Sequence, residues 1–443
     1  MEQLESAYPD LTDVLPLAPP QEGLLFHALV DEVDVYTAQI RLDLDGELDP
    51  DRLHRAAQAV LDRHDNLRVA FHHEGLDEPV QVVRAEVRVP WRQDDLTGRA
   101  AEADSIAAAE RDEPFDLTVA PLLRWRLLRL GAGRHRLVLT SHHLLWDGWS
   151  VPLVLQEVFL RYAGSALPAV VPYRDYLRWS HEQDPGAATH AWQEALAGAK
   201  PSPVASSSPT EGAEPQRQLR REMTPAFATH LEVAARAREV TVGTIIQAAW
   251  AVVLSNRIGA ADVVFGTTFS GRPPEIPGIE RMIGLLANTL PVRVRLLPGD
   301  TVGGLLRRIR EEQAALLDHH HLRLIDVRRA GGGAALFDTT TVFTNYPLDP
   351  AAFEKLGTGL RLSDVDNTDA THYPLRMAVV PGSVLNLRLG YRPDLFTTAE
   401  AETILDEMVA AMTMMTGDPS QLMTGIGAQS AEAFDVLAQW GGY

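Results

Sequence analysis

Apolar and polar residues alternate from Tyr36 to Leu44, the period of a half-buried strand. The period then lengthens. Asp49-Pro50 supplies a helix N-cap with proline at the first helical position, and Leu53, Ala57, Val60 and Leu61 line one face of a helix running to about His64. Leu15 to Pro20 reads as extended, with a short helix over Gln21–His27. Strands are expected at Leu67–His72 and Pro79–Val89, and a helix near Ala100–Arg111. Leu122–Leu130 and His135–Thr140 flank Gly131-Ala132-Gly133-Arg134 and predict a hairpin. The apolar run ending at Thr140 is followed by Ser141-His142-His143-Leu144-Leu145-Trp146-Asp147-Gly148-Trp149-Ser150, after which Val151 to Leu155 opens an amphipathic helix.

Between Ala197 and Gln218 periodicity disappears and proline and serine accumulate, the composition of a linker. Beyond it the pattern predicts helices at Pro225–Arg238, Val242–Asn256, Val302–Leu317 and Thr398–Met412. Strands are predicted at Asp262–Thr268, Thr289–Leu296, Thr339–Asn345, Leu360–Leu362, Pro374–Val380 and Val384–Tyr391. Each half mixes sheet and helix, so two α+β subdomains of comparable size are expected: residues 1–196 and 218–430, joined by 197–217, with 431–443 leading onward. A chain of 443 residues is long enough for each to bury its own core.

Composition narrows the function classes. A net charge of −20 argues against a general binder of nucleic acid or anionic membrane. The pairs Arg307-Arg308 and Arg328-Arg329 read as solvated helix faces. No cysteine is present, which removes thiol nucleophiles, thiolate-ligated zinc and disulfides together. No apolar run spans a bilayer and the acidic Met1–Glu5 lacks signal-peptide character, so a cytoplasmic protein is expected.

Candidate chemistry sits where the strand before His142 stops. Neighbours on a strand face opposite ways, so one imidazole should pack inward and the other face an opening. Three readings of the stretch compete: hydrogen-bonded structural histidines, a metal site of His142, His143 and Asp147, or acid/base work by a single histidine with Asp147 as partner. Opposite-facing neighbours make poor joint metal ligands, and no G-x-S-x-G nucleophile motif is near. Gly148 would let backbone approach a ligand. The cluster His319-His320-His321 reads as a polar helix end, not a metal site.

His142-His143-Leu144-Leu145-Trp146-Asp147-Gly148 resembles the HHxxxDG motif of condensation domains from nonribosomal peptide synthetases. Further likenesses follow in order. They are Leu15–Gly23, Arg63–Phe71, Tyr173–Trp179, Ser270–Pro273, Gly284–Arg293, Phe343–Tyr346 and His372–Leu375. Asp65 stands where that family has glutamate, and Pro20 and Ala287 where larger residues are usual. Both histidines are present, unlike heterocyclisation domains, and Ser270-Gly271-Arg272-Pro273 is similar to the condensation rather than the epimerisation form.

The resemblance implies an α+β pseudo-dimer of two chloramphenicol-acetyltransferase-like subdomains in a V shape with a central tunnel. It implies peptide-bond formation between a donor and an acceptor thioester. Each would be carried on the 4'-phosphopantetheine arm of an upstream or downstream carrier protein, with no cofactor bound directly and no metal. His143 would be the acting imidazole, with His142, Asp147 and Gly148 completing the motif. Asp147 is expected to pair with Arg272 from the second half, or with Arg293. Arg68, Trp149 and Asn345 are expected in support. The motifs Leu15–Gly23 and His372–Leu375 point to a D-configured donor, and Val436–Trp440 resembles the approach to an adenylation domain. A free-standing acyltransferase using CoA or carrier thioesters, and a non-catalytic recruitment platform, are the alternatives.

Overall fold

The strands that carry the candidate chemistry belong to a sheet assembled from distant parts of the chain. In chain order the strands are β1 (Leu11–Pro16), β2 (Thr37–Asp45), β3 (Val69–His72), β4 (Val80–Arg84), β5 (Trp91–Asp95), β6 (Leu123–Gly131) and β7 (Arg134–His142). They continue as β8 (Arg217–Met223), β9 (Asp262–Phe269), β10 (Asn288–Arg295), β11 (Thr339–Phe343), β12 (Arg361–Thr368), β13 (Leu375–Val380) and β14 (Leu385–Tyr391). The protein is represented by a computed structural model that describes residues 2–30, 35–206, 216–344, 353–355, 357–382 and 384–423. Its mixed sheets and helices are the α+β class expected from the sequence.

Two compact units divide the chain. The first takes the described residues of Met1–Gln183, Arg272–Ala287 and Leu348–Ala370; the second takes those of Asp184–Gly271, Asn288–Pro347 and Thr371–Tyr443. This departs from the linear spans 1–196 and 218–430, because two segments of the second half fold into the first unit. Hydrogen bonding accounts for both. Strand β12 pairs antiparallel with β2 from Arg361↔Asp45 to Thr368↔Gln39, longer than the Leu360–Leu362 strand expected. The segment 272–287 is bonded by Asn66, whose Nδ2 donates to the Ile283 carbonyl at 3.0 Å, and by Tyr173, whose hydroxyl donates to the Leu285 carbonyl at 2.7 Å. Part of the expected linker is also fixed. Val204 and Ala205 donate their N–H groups to the Asp338 carboxylate at 2.8–3.0 Å, and Ser202 N–H donates to the Leu336 carbonyl at 2.9 Å. Residues 207–215 and 424–443 lie outside the described residues.

In the first unit the sheet order is β12-β2-β7-β6-β5, with a smaller sheet β1-β4-β3. The β6–β7 hairpin forms as the Gly131–Arg134 turn predicts. Alternation sorts its side chains: Leu127, Leu137 and Leu139 join the main core, and Leu128 and Val138 pack with Ala103 and Ala107 of helix Ala103–Arg111. With both faces covered, β7 is buried from Leu137 to His142. The main core also receives helix Pro50–Arg63, capped by Asp49 as expected, and helix Ser150–Ala163, which ends at Gly164 with φ 82°. A strand that ends rigidly inside the core is thus followed at once by the candidate loop.

The second unit is built on a six-stranded sheet, β10-β9-β11-β13-β14-β8, parallel at β9/β11 and β11/β13 and antiparallel elsewhere. Helix Val242–Ile258 is buried continuously from Thr244 to Leu254, and helix Thr398–Thr416 begins with a Thr397/Glu400 capping box. Among the described residues, no single helix is long and apolar enough to cross a membrane; the pair Pro225–Ala237 and Val242–Ile258, bent by 102°, passes only on length and composition.

Candidate active site

The loop after β7 is held at both ends, and His143 and Trp149 are its half-buried side chains. His142, the last residue of β7, is fully buried. The Leu144 N–H donates to His142 Nδ1 at 3.1 Å, which makes Nδ1 the unprotonated ring nitrogen. Tyr36 and Phe115 present ring contacts to this imidazole at 6.3 and 6.4 Å between centroids. Trp146 Nε1 donates to Ser141 Oγ at 3.1 Å, and the Leu144 carbonyl accepts from Gln21 Nε2 at 2.8 Å. Within Ser141–Asp147 only His143 is not buried, and its backbone N–H is fixed by the Tyr36 carbonyl at 2.9 Å. His142 is thus buried as one of the two imidazoles was expected to be, and His143 is half-buried.

Asp147 anchors the far end of the loop. Its Oδ1 accepts from Ser150 N–H at 3.0 Å, Ser150 Oγ at 2.8 Å and Arg272 Nη2 at 3.1 Å. Its Oδ2 accepts from Arg272 Nη2 at 3.3 Å and from the N–H groups of Leu286 and Ala287, both at 3.2 Å. Arg272 in turn donates Nη1 to the carbonyls of Ile279 and Met282. Its guanidinium carbon stands 5.3 Å from the Trp149 ring centroid, and Trp149 Nε1 donates to the Glu280 carbonyl at 2.9 Å. Carboxylate and guanidinium are both almost entirely removed from solvent, yet nearly every polar atom is matched, the condition under which a buried pair is tolerated.

Arg272 is therefore the partner of Asp147, and Arg293 is not. Arg293 lies on β10 in the second unit, where Nε and Nη2 clamp Asp262 at 2.9 and 2.7 Å. Arg68 bridges Asp65 at 2.8 Å and the carbonyls of Arg84 and Ala85, bracing the β3–β4 region. Gly148 is half-exposed and is absent from the glycines of positive φ, so the turn does not depend on a left-handed residue there. Asn345 lies outside the described residues. No group of three or more histidine, aspartate or glutamate side chains placed to hold a metal ion occurs among the described residues.

The sequence pattern did not single out Ser150, Gln21 or Tyr173 as parts of this site. Tyr173 and Tyr176 stack at 5.8 Å in the core, where burial, followed by the neighbouring acidic groups, pushes both phenols well above the ordinary tyrosine range. A Cβ on Gly284 would come within 2.3 Å of the Tyr173 ring. The glycine of the Gly284–Arg293 motif is thus a packing requirement.

A family model described as "Condensation domain" matches residues 11–433. The chain belongs to the condensation-domain family. This condensation domain is 34% identical over 450 residues to a linear gramicidin synthase of Brevibacillus parabrevis, a match covering 97% of the chain and 6% of that relative. It is 30% identical over 430 residues to a surfactin synthase of Bacillus subtilis (strain 168), covering 94% and 34%. The chain thus spans a small part of much longer relatives. In fold, the condensation domain is similar to that from Monacolin K polyketide synthase MokA, with a TM-score of 0.79 at 18% identity over 93% of this chain and 99% of that one. Condensation domains of peptide synthetases are amide-bond-forming acyltransferases.

Proposed function

We propose that this domain joins a donor aminoacyl or peptidyl thioester to the amine of an acceptor aminoacyl thioester, both on carrier-protein phosphopantetheine arms. The acceptor nitrogen attacks the donor carbonyl, a C–N bond forms, the C–S bond breaks, and the thiol leaves with the proton the amine gives up. The thioester is already activated, and an α-amine of pKa about 7.7–8.0 is partly neutral near pH 7. Positioning is then the main demand, worth roughly 7–11 kcal/mol in well-oriented reactions. His143 takes the proton from the attacking nitrogen or hydrogen-bonds the tetrahedral intermediate, and the backbone N–H near Gly148 serves the oxyanion. The observation that carries the reading is that His143 is half-buried while the other residues of Ser141–Asp147 are buried.

Donor and acceptor carriers are its partners, an adenylation domain follows, and the work is cytoplasmic. The donor is D-configured. Carrier proteins loaded with a panel of L- and D-aminoacyl donors and L-aminoacyl acceptors, with dipeptidyl-carrier read by mass spectrometry, test the reaction, its carrier partners and the configuration of the donor. Product from D-donors that His143→Ala abolishes is expected. Product only from acyl-CoA would replace the reading with a free-standing acyltransferase, and no product from any thioester would leave a recruitment platform.

A further inference from the structure

Ser150 is fully buried, and its hydroxyl stands where the candidate loop meets the segment 272–287. Oγ lies 2.8 Å from Asp147 Oδ1, 2.9 Å from the Gly284 carbonyl, 3.0 Å from the Gly284 N–H and 3.4 Å from Arg272 Nη2. A hydroxyl has one hydrogen and two acceptor lone pairs. Gly284 N–H and Arg272 Nη2 are donors, so they fill the lone pairs. The single hydrogen faces two acceptors, of which the charged Asp147 carboxylate is the stronger. The Gly284 carbonyl is also served by the Asp147 N–H at 3.1 Å. Every valence of the Ser150 hydroxyl is in use: two join it to the Asp147 and Arg272 side chains, and the one filled by the Gly284 N–H joins the loop end to that peptide.

We infer that Ser150 is a positioning residue for amide formation: it sets the register of the His143 loop against the Gly284 peptide. This rests on the condensation reading above. The side chains around it divide the work. Asp147 and Arg272 hold the two segments together by charge and by the Leu286 and Ala287 N–H groups. None of those bonds reaches the Gly284 N–H, whose acceptor is Ser150 Oγ. Ser150→Ala removes that acceptor and leaves the Gly284 N–H buried without one, while Ser150 N–H still caps onto Asp147. The fold persists, but the peptide at 284 is then held to the loop end by the Asp147 N–H bond to its carbonyl alone, and the second point that fixes its register is lost. A displacement of about 1 Å near reacting atoms can lower a rate about a hundredfold.

Ser150→Ala should lower kcat roughly ten- to a hundredfold, with KM for both loaded carriers within about twofold of wild type. The fall should persist at a temperature where circular dichroism shows wild type and variant fully folded, and Ser150→Cys, which restores a weak donor and acceptor, should recover part of it. A role in stability alone would leave the rate at that temperature unchanged, and this result, or Ser150→Cys matching Ser150→Ala, overturns the positioning role. Wild-type turnover with an unimpaired Ser150→Ala removes this inference and leaves the condensation reading standing. Absence of product from wild type with every thioester pair removes both.

Discussion

Arg272 Nη2 lies 3.1 Å from Asp147 Oδ1, with the two side chains only 5% and 3% exposed. Although 125 residues apart, both belong to the first compact unit. Removing one partner strands the other charge away from water, which typically costs about 3–5 kcal/mol. Asp147→Ala and Arg272→Ala should therefore lower the melting temperature and the yield of folded protein. His143→Ala should melt near wild type and lose activity by about 10²–10⁴-fold, the usual worth of a positioned acid/base group. Thermal melts beside initial rates separate the two classes, and equal melting losses for all three variants would refute the division of roles.

Gly284 admits no side chain where it stands. Its hypothetical Cβ falls 2.3 and 2.5 Å from two carbons of the Tyr173 ring. Overpacking of this kind costs about 1–3 kcal/mol. Gly284→Ala should be destabilised to that extent, and Tyr173→Leu should be less harmful in its presence than alone, because the smaller side chain vacates the contact. A double-mutant cycle in denaturant measures the coupling. Strict additivity would show that the ring is not what excludes the methyl group.

Gln21 ties the first motif to the loop. Its Oε1 accepts from Ala18 N–H at 2.7 Å, and its Nε2 donates to the Leu144 carbonyl and to Gln81 Oε1. Gln21→Leu fills the same space but strands these buried groups, at about 1–3 kcal/mol for an unsatisfied one. Lower stability and a fall in rate are expected together, because Leu144 directly follows His143. Wild-type rates in Gln21→Leu would show that the carbonyl at 144 does not bear on the site.

Much of the fold was legible because periodicity reports burial: the β6–β7 hairpin, the helix Pro50–Arg63 and its Asp49 cap stand where the pattern put them. The edge strands were not. Trp91-Arg92-Gln93-Asp94-Asp95 pairs in parallel with β6 and Arg217-Gln218-Leu219-Arg220-Arg221-Glu222-Met223 pairs with β14, yet both are dominated by charged residues that an edge strand keeps solvated. In the site, the resemblance to condensation domains suggested Asp147 with Arg272, and a buried carboxylate needs such a cation. Ser150, Gln21 and Gly284 act through backbone groups far away in sequence, and no local spacing encodes which peptide will face them. The return of residues 361–368 to pair with β2 was hidden for the same reason.

His320 should make acid stability depend on pH in a defined window. It is buried against Phe269, with ring centroids 4.0 Å apart, and near Trp192 at 6.5 Å, while its backbone carbonyl accepts from Asn288 Nδ2. Burial, followed by the neighbouring His319 and His321, pulls the imidazole from 6.5 down to about 4. The folded state thus binds this proton less readily than the unfolded state. Above pH 6.5 both states are neutral at this site and nothing is lost. As pH falls from 6.5 to about 4 the unfolded chain takes the proton first, so stability declines. The shift corresponds to about 3 kcal/mol at most, as an order of magnitude. His320→Gln cannot titrate there, so its stability should fall less steeply across the window, whatever its value at pH 7. Denaturant titrations of both proteins from pH 7.5 to 4 measure the two slopes. Parallel slopes would mean that His320 is protonated in the folded protein as readily as in the unfolded chain.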